Sequence, residues 1–123
     1  MTTALFPGRF QPPHLGHIVT AMRLYKEYDK IIIAVTEAKP RCMTPKQTKA
    51  IFDEVFENIP KYKVIIIRGE EWMDNIPNGI DVVITGNNHS IKRLEERKIP
   101  YHKVPRAEGI GFTGTELRRL IKC

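Results

Sequence analysis

The chain has 123 residues, and its 20 lysines and arginines against 14 aspartates and glutamates give a formal net charge of +6. This length predicts one domain, spanning residues 1–123. Hydrophobic residues make up 41% of the sequence, which excludes disorder, collagen and coiled coil, and no apolar stretch approaches the roughly 20 residues of a membrane span.

The first residues carry neither the charged nor the long apolar region of a signal peptide, so we expect a cytoplasmic protein with no membrane partner. Cys42 and Cys123 are too few for a disulfide framework or a zinc site built from thiolates, and we expect free thiols. Lysines and arginines are spread along the chain, usually beside acids, with one dense group over 118–122. Nucleic acid is therefore not an expected partner, whereas a small phosphorylated ligand needs the same sign of charge.

Strand and helix patterns alternate along the chain. In order, the sequence predicts a strand over 2–6, a helix over 14–28, a strand over 31–35, a helix over 45–57, strands over 64–67 and 81–85, a helix over 87–98, a strand over 101–104 and a last helix over 114–122. The three middle strands contain continuous β-branched runs, typical of strands buried on both faces of a parallel sheet. We therefore predict an α/β fold, a single three-layer Rossmann-like domain with a parallel sheet of about five strands.

In such a sheet, ligands bind beyond the carboxyl ends of the strands where the strand order reverses, and the first strand usually borders that point. The turn after the first strand is therefore the predicted site. There Gly8 lets backbone amides approach a ligand, and Arg9 supplies a fixed positive charge. His14 and His17 lie one turn apart at a predicted helix N-terminus, where an anion is favoured, and Gly16 keeps bulk off that surface.

These residues together predict a phosphate site, because imidazoles can donate hydrogen bonds to phosphate oxygens. Taken alone, the two histidines also fit helix-surface residues or part of a zinc pair. No third ligand stands at metal spacing, since His89 and His102 are isolated, so we predict no metal site made by protein ligands.

The segment His14-Leu15-Gly16-His17 resembles the His-x-Gly-His signature of the cytidylyltransferase-like nucleotidyltransferase superfamily. The longer segment from Gly8 to Pro12, which includes Phe10, resembles most closely the archaeal-type nicotinamide mononucleotide adenylyltransferases. Pro13 stands where those enzymes usually have Phe. The resemblance implies that His14 and His17 act in catalysis, and that Gly8, Arg9, Phe10 and Gly16 bind the nucleotide phosphates.

A second signature of that superfamily opens its last helix, and the segment from Thr113 to Arg118 is similar to it. Thr113 or Thr115 can cap the helix and bind a phosphate, and Arg118 reaches the same anion with a forked guanidinium. A capped helix with a solvated arginine is the alternative for this segment by itself. Arg106, in a segment that also resembles the glycerol phosphate cytidylyltransferases, is a further candidate for phosphate binding.

Weaker similarities lie between the two signatures. Gly86 and Asn87 follow a predicted buried strand and resemble the family's turn beside the nucleotide ribose and base. Trp72 falls where the archaeal enzymes have a tryptophan that stacks on nicotinamide, although a single tryptophan also fits ordinary packing. Gln47 and Thr48 replace the acidic and basic pair that the family often has there.

The resemblance implies attack by a phosphate oxygen on the α-phosphorus of a nucleoside triphosphate, with loss of pyrophosphate and with Mg²⁺ carried by the phosphates. ATP is the favoured nucleotide, with CTP as the alternative, and the acceptor is a small phosphorylated molecule. Adenylyl transfer to nicotinamide mononucleotide, giving NAD, is the first hypothesis. A cytidylyltransferase that makes a CDP-alcohol such as CDP-glycerol and a catalytically silent nucleotide-binding module are the alternatives. Relatives of this fold are commonly oligomers, so a homo-oligomer is expected.

Overall fold

The computed structural model describes residues 2–37, 43–68 and 71–105. Within them lie five β-strands, three α-helices and a short 3₁₀ helix, and their bounds in chain order are β1 Thr3–Gly8, α1 Leu15–Arg23, β2 Lys30–Thr36, α2 Pro45–Phe56, β3 Tyr62–Ile67, the 3₁₀ helix Trp72–Asn75, β4 Val82–Thr85, α3 Asn88–Glu96 and β5 Tyr101–Lys103. None of the helices in these segments has the length and apolar character that a membrane span requires.

The five strands form one parallel sheet in the order β3-β2-β1-β4-β5. The chain first builds outward from β1 through β2 to β3, then crosses to the other side of β1 and builds outward through β4 to β5. The order therefore reverses at β1, which lies at the centre of the sheet. The predicted α/β fold with a five-stranded parallel sheet is confirmed.

Side chains of alternate residues in the strands form two apolar cores on the opposite faces of the sheet. One core joins Ala4, Phe6 and the β2 residues Ile31 and Ile33 to the buried side chains of α1 and α2. The other joins Leu5 and its neighbours to Met73 of the 3₁₀ helix and to Leu94 of α3. This division gives the three layers predicted from the alternating pattern.

Most element ends differ from the prediction by one or two residues, and the differences in β1 and α1 affect the chain around the site. β1 continues through Pro7 and Gly8, because these residues still pair with Ala34 and Val35 of β2, so the turn begins two residues later than expected. α1 ends at Arg23 instead of near residue 28. After Arg23 the chain continues in turns whose hydrogen bonds join residues three apart. The chain must reverse there, since Asp29 N–H donates to the Thr2 carbonyl at the start of β1. The helix predicted over 114–122 lies outside the described residues.

The helix α3 ends in a Schellman motif whose left-handed residue is a lysine. Ile99 N–H donates to the Leu94 carbonyl and Lys98 N–H to the Glu95 carbonyl, at 2.9 and 3.1 Å. Lys98 has a φ of 56°, a conformation in which a side chain crowds the backbone and glycine does not.

Replacing Lys98 by glycine is therefore expected to raise the free energy of unfolding by about 1 kcal/mol. Urea unfolding measures this change. The matched control is Lys92→Gly, an exposed lysine in the interior of α3, which is expected to lose about 1 kcal/mol because glycine disfavours a helix interior. A loss of stability in both variants would contradict the strain assigned to Lys98.

Candidate active site

The residues of the first signature lie at the carboxyl edge of the sheet, where the strand order reverses. β1 ends at Gly8, the loop 9–14 follows, and α1 begins at Leu15. β4, the neighbour of β1 on its other side, ends at Thr85, and the turn to α3 contains Gly86 and Asn87. Both loops therefore border the crevice in which an open α/β sheet binds its ligand.

His14 and His17 cap α1 reciprocally. His14 is the N-cap residue, and its ring Nδ1 accepts a hydrogen bond from the Gly16 N–H at 3.1 Å. In return, the ring Nδ1 of His17 accepts from the backbone N–H of His14, also at 3.1 Å. The two rings stack with centroids 3.7 Å apart. The helix start thus holds both imidazoles in one fixed arrangement.

The cap also determines where each ring carries its proton. An Nδ1 that accepts a hydrogen bond has no proton, so each neutral ring has its N–H at Nε2. Burial and, to a smaller extent, the neighbouring His14 ring together lower the pKa of His17 to about 3. Burial also lowers the pKa of His14. Both rings are therefore neutral Nε2–H donors near pH 7.

The sequence predicts that an anion binds at the N-terminus of α1, but the cap already uses two of the backbone N–H groups there. The Gly16 N–H is used by the His14 ring, and the His17 N–H donates to the His14 carbonyl at 3.0 Å. The backbone donors of these two residues are thus occupied within α1. The Nε2–H groups of the two rings are what His14 and His17 can offer to phosphate oxygens.

Phe10, predicted to bind the nucleotide, has its ring in the core. The ring is 4% exposed and contacts His17, Phe52 and Phe6 edge-to-face, with centroid distances of 4.7, 4.8 and 5.6 Å. It also covers Gly8 so closely that a Cβ there would lie 2.7 Å from a ring atom. The ring therefore packs beneath the site in the core, where it does not face a ligand, and contact of Phe10 with a nucleotide stays a prediction.

Gln11 has a structural role that the sequence did not reveal. Its side chain is 3% exposed, and its amide oxygen accepts a hydrogen bond from the Met43 N–H at 3.0 Å. Met43 immediately precedes Thr44, the N-cap of α2. The loop that carries the signature is thus tied to the start of α2. The sequence places Gln11 within the first signature, but it gives no indication that the side-chain amide is buried.

Gln47 and Thr48, which stand where the family often has an acidic and a basic residue, have different roles in the structure. Gln47 forms a capping box with Thr44, accepting from the Thr44 N–H at 2.8 Å while its own N–H donates to the Thr44 hydroxyl at 3.1 Å. It therefore performs the capping that an acidic residue performs at this position. Thr48 is fully buried, and its hydroxyl has no hydrogen-bond partner within the described segments.

Asn87 caps α3, so its side chain is committed to the protein. Its amide oxygen accepts from the His89 and Ser90 N–H groups at 2.8 and 3.4 Å. The Asn87 N–H donates to the hydroxyl of Thr85 at 3.1 Å. These bonds fix the turn at Gly86 beside β1, and the contact of Gly86 and Asn87 with a nucleotide stays a prediction.

Trp72 lies in the 3₁₀ helix after β3, half-buried against the core on the α3 face. The segment around it is bound to α3 by ion pairs. Arg93 pairs with Glu71 at 2.5 Å, and Arg97 pairs with Asp74 at 2.6 Å. Contact of Trp72 with an acceptor stays a prediction.

The structure brings Gly8, Arg9, His14, Gly16 and His17 together on one loop and helix start, with Arg9 exposed to solvent. The candidates of the second signature and its neighbourhood lie outside the described residues, namely Arg106, Thr113, Thr115 and Arg118. In the part of the chain that the structure describes, no three His, Cys, Asp or Glu side chains come together to hold a metal ion.

Comparison with known proteins agrees with the fold and the signature. Residues 5–55 match the family model described as Cytidylyltransferase-like. A phosphopantetheine adenylyltransferase from Leuconostoc citreum is 34% identical over 101 residues, covering 80% of this chain and 64% of that relative.

Among solved structures, a bifunctional NMN adenylyltransferase/ADP ribose pyrophosphatase from Francisella tularensis has a TM-score of 0.77 at 18% identity, covering 97% of this chain and 41% of that one. The same enzyme has been solved with AMP and a manganese ion, with a TM-score of 0.75. At this identity the likeness concerns the fold. This chain spans less than half of that enzyme.

The relative that decides the family is a nicotinamide-nucleotide adenylyltransferase from the archaeon Sulfurisphaera tokodaii. It is 53% identical over 134 residues, which cover 96% of this chain and 78% of that relative. Such identity over nearly the whole chain includes both regions in which the signatures lie. The chain belongs to the nicotinamide-nucleotide adenylyltransferase family of nucleotidyltransferases.

Proposed function

We propose that this chain transfers the adenylyl group of ATP to nicotinamide mononucleotide and releases pyrophosphate, so that NAD is the product. The observation that carries the proposal is the pair of neutral Nε2–H donors on His14 and His17, fixed by the cap of α1 at the point where the strand order reverses. Family membership supports the choice of ATP and nicotinamide mononucleotide.

In the proposed reaction, a phosphate oxygen of the mononucleotide attacks the α-phosphorus of ATP. A P–O bond forms, the bond from the α-phosphorus to the bridging oxygen breaks, and pyrophosphate leaves with that oxygen. Such a displacement needs little covalent help, so positioning and charge stabilisation supply most of the acceleration. We assign this work to the Nε2–H groups of His14 and His17, with Arg9 as a nearby positive charge.

The remaining positive charge is assigned to Arg118 and Arg106, with Thr113 or Thr115 as phosphate ligands; these residues follow from the resemblance and lie outside the described residues. We propose Mg²⁺ as the metal, held by the phosphates of ATP and by water. The described residues of the site are mostly hydrogen-bond donors, which suit phosphate oxygens better than a cation. When bound, the ion neutralises part of the phosphate charge.

A second acceptor has a specific observation in its favour, the 34% identity to a phosphopantetheine adenylyltransferase. Phosphopantetheine also presents a phosphate to the α-phosphorus of ATP, so the same histidines would serve. Trp72 distinguishes the two acceptors, because an aromatic face suits a cationic pyridinium ring and phosphopantetheine has none.

The activity is tested by incubating the protein and Mg²⁺ with ATP or CTP and, in turn, with nicotinamide mononucleotide, phosphopantetheine or glycerol phosphate. We expect NAD and pyrophosphate from ATP with the mononucleotide. His17→Ala is expected to lower kcat roughly 100-fold or more, because one donor to the transition state is lost. His102→Gln, on β5, is the control and should keep the wild-type rate. A CDP-alcohol or dephospho-CoA product without NAD would overturn the proposal.

Acid is expected to destabilise the protein through His17. The unfolded ring binds a proton near the ordinary pKa of 6.5, whereas the folded ring does so only near 3, so stability is complete above 6.5 and decreases as the pH falls toward 3. Between pH 7 and pH 5 this residue is expected to lower the free energy of unfolding by about 2 kcal/mol. Urea unfolding at both pH values measures the change.

The matched variant for this test is His17→Gln. Glutamine already forms the cap at the third helical position of α2, as Gln47, and the variant places the same residue at the third helical position of α1. It keeps an acceptor for the His14 N–H but cannot titrate. The pH dependence should therefore decrease by that amount while the fold is kept. Equal pH dependence in the wild type and the variant would contradict the lowered pKa.

The role of Trp72 is tested by Trp72→Leu. If the indole stacks on the nicotinamide ring, its loss should raise the KM for nicotinamide mononucleotide about tenfold, since a desolvated cation–π contact is worth roughly 1 to 2 kcal/mol. The KM for ATP should stay within about twofold of the wild type. Steady-state kinetics with each substrate varied in turn measures both values. An unchanged KM for the mononucleotide would assign Trp72 to packing alone.

A further inference from the structure

A line of aromatic rings connects α2 with the motif histidine of α1. Phe52 of α2 contacts the ring of Phe10, and Phe10 in turn contacts the ring of His17. Both contacts are edge-to-face, at centroid distances within the range in which aromatic pairs attract each other. His17 is thereby held against the core by Phe10 as well as against the ring of His14.

The loop adopts a strained conformation to place this ring. Phe10 has a φ of 51°, which is rare for a bulky residue and costs roughly 1 to 2 kcal/mol. The ring then lies over Gly8, where a Cβ would clash with it. Gln11, the next residue, is anchored to the Met43 N–H before α2. Two buried side chains therefore connect the loop to α2: Phe10 contacts its core face, and Gln11 is bonded at its start.

We propose that Phe10 is a positioning residue for the reaction, holding the His17 ring in its neutral Nε2–H form by packing against it and excluding water from it. The proposal rests on the proposed function in so far as it concerns the reaction. Its structural part, the effect of Phe10 on the His17 ring, can be measured without turnover. Strain at such a position persists when the surrounding contacts enforce it, as Phe52 and Gly8 do here.

Burial is the main cause of the lowered pKa of His17. Among the residues that the structure describes, the charge contribution comes from His14, the N-cap residue of the same helix. The elements packed against the ring contribute the uncharged rings of Phe10 and, behind it, Phe52 and Phe6. Arg9 is the charged neighbour in the loop, and it is kept in all variants below.

The test is Phe10→Leu in the full chain, followed by long-range ¹H–¹⁵N correlation of the histidine rings from pH 8 to pH 4. In the wild type, His17 should keep the Nε2–H pattern across this range. In Phe10→Leu, water reaches the ring, and the midpoint of its titration should rise by about one pH unit or more toward 6.5. An unchanged titration in a folded Phe10→Leu variant would overturn the proposal.

The matched control is Phe56→Leu, which removes the same atoms from the same core but has its ring contacts with Phe52 and Tyr62. Its His17 titration should be that of the wild type, and an equal shift in the control would also overturn the proposal. Should Phe10→Leu fail to fold, Gly8→Ala displaces the ring without removing it, and Phe52→Leu removes its support. Both should shift the titration in the same direction.

Activity provides the second readout. For Phe10→Leu, the acid limb of the pH profile of kcat/KM for NAD formation is expected to move to higher pH by the same amount as the His17 titration, as His17 becomes protonated. A purely structural role would lower the rate equally at all pH values. If the chain makes no NAD at all, the proposed function fails, while the titration of His17 still decides the role of Phe10.

Discussion

Two hydrogen bonds at the start of α1 determine the chemistry that its histidines can perform. Because each Nδ1 accepts from a backbone N–H, each ring is confined to the Nε2–H form and to one orientation. The helix α2 achieves the same reciprocal cap with Thr44 and Gln47, which do not titrate. A histidine at the third helical position is thus unnecessary for capping, and what His17 adds is a ring N–H at Nε2 that the cap does not use.

Neutral histidines imply a division of labour at the proposed phosphate site. His14 and His17 supply directional donors but no net charge near pH 7, since burial lowers the pKa of both rings. Neutralisation of the triphosphate must then come from arginines and from the metal that accompanies the nucleotide. An arginine stays charged at any working pH, and a neutral ring donor avoids placing two adjacent imidazolium charges 3.7 Å apart.

The layered fold and the place of the first signature in it were predictable, because both follow from the order of the predicted strands and helices. β-Branched runs gave the strands, and the position of β1 in the sheet gave the edge at which the signature lies. The positions of single side chains were not predictable. The burial of Phe10 depends on a positive φ, and that of Gln11 on a bond to Met43, a residue distant in sequence. Neither the positive φ nor this hydrogen bond can be recognised from the hydrophobic periodicity of the sequence. The ligand contacts of Arg106 and of the second signature stay predictions.

The helix α3 links the two halves of the proposed site. Its N-cap, Asn87, fixes the turn beside β1, and Arg93 and Arg97 further along bind Glu71 and Asp74 on either side of Trp72. Each exposed ion pair alone contributes little to stability, but together they fix the 3₁₀ helix relative to α3. An in-line displacement requires that the acceptor approach the α-phosphorus from one direction, and a misplacement of about 1 Å can lower the rate roughly 100-fold. In the proposed site, α3 carries both the turn assigned to the nucleotide and the attachment of Trp72, assigned to the acceptor, so this one helix would set the angle between the two substrates.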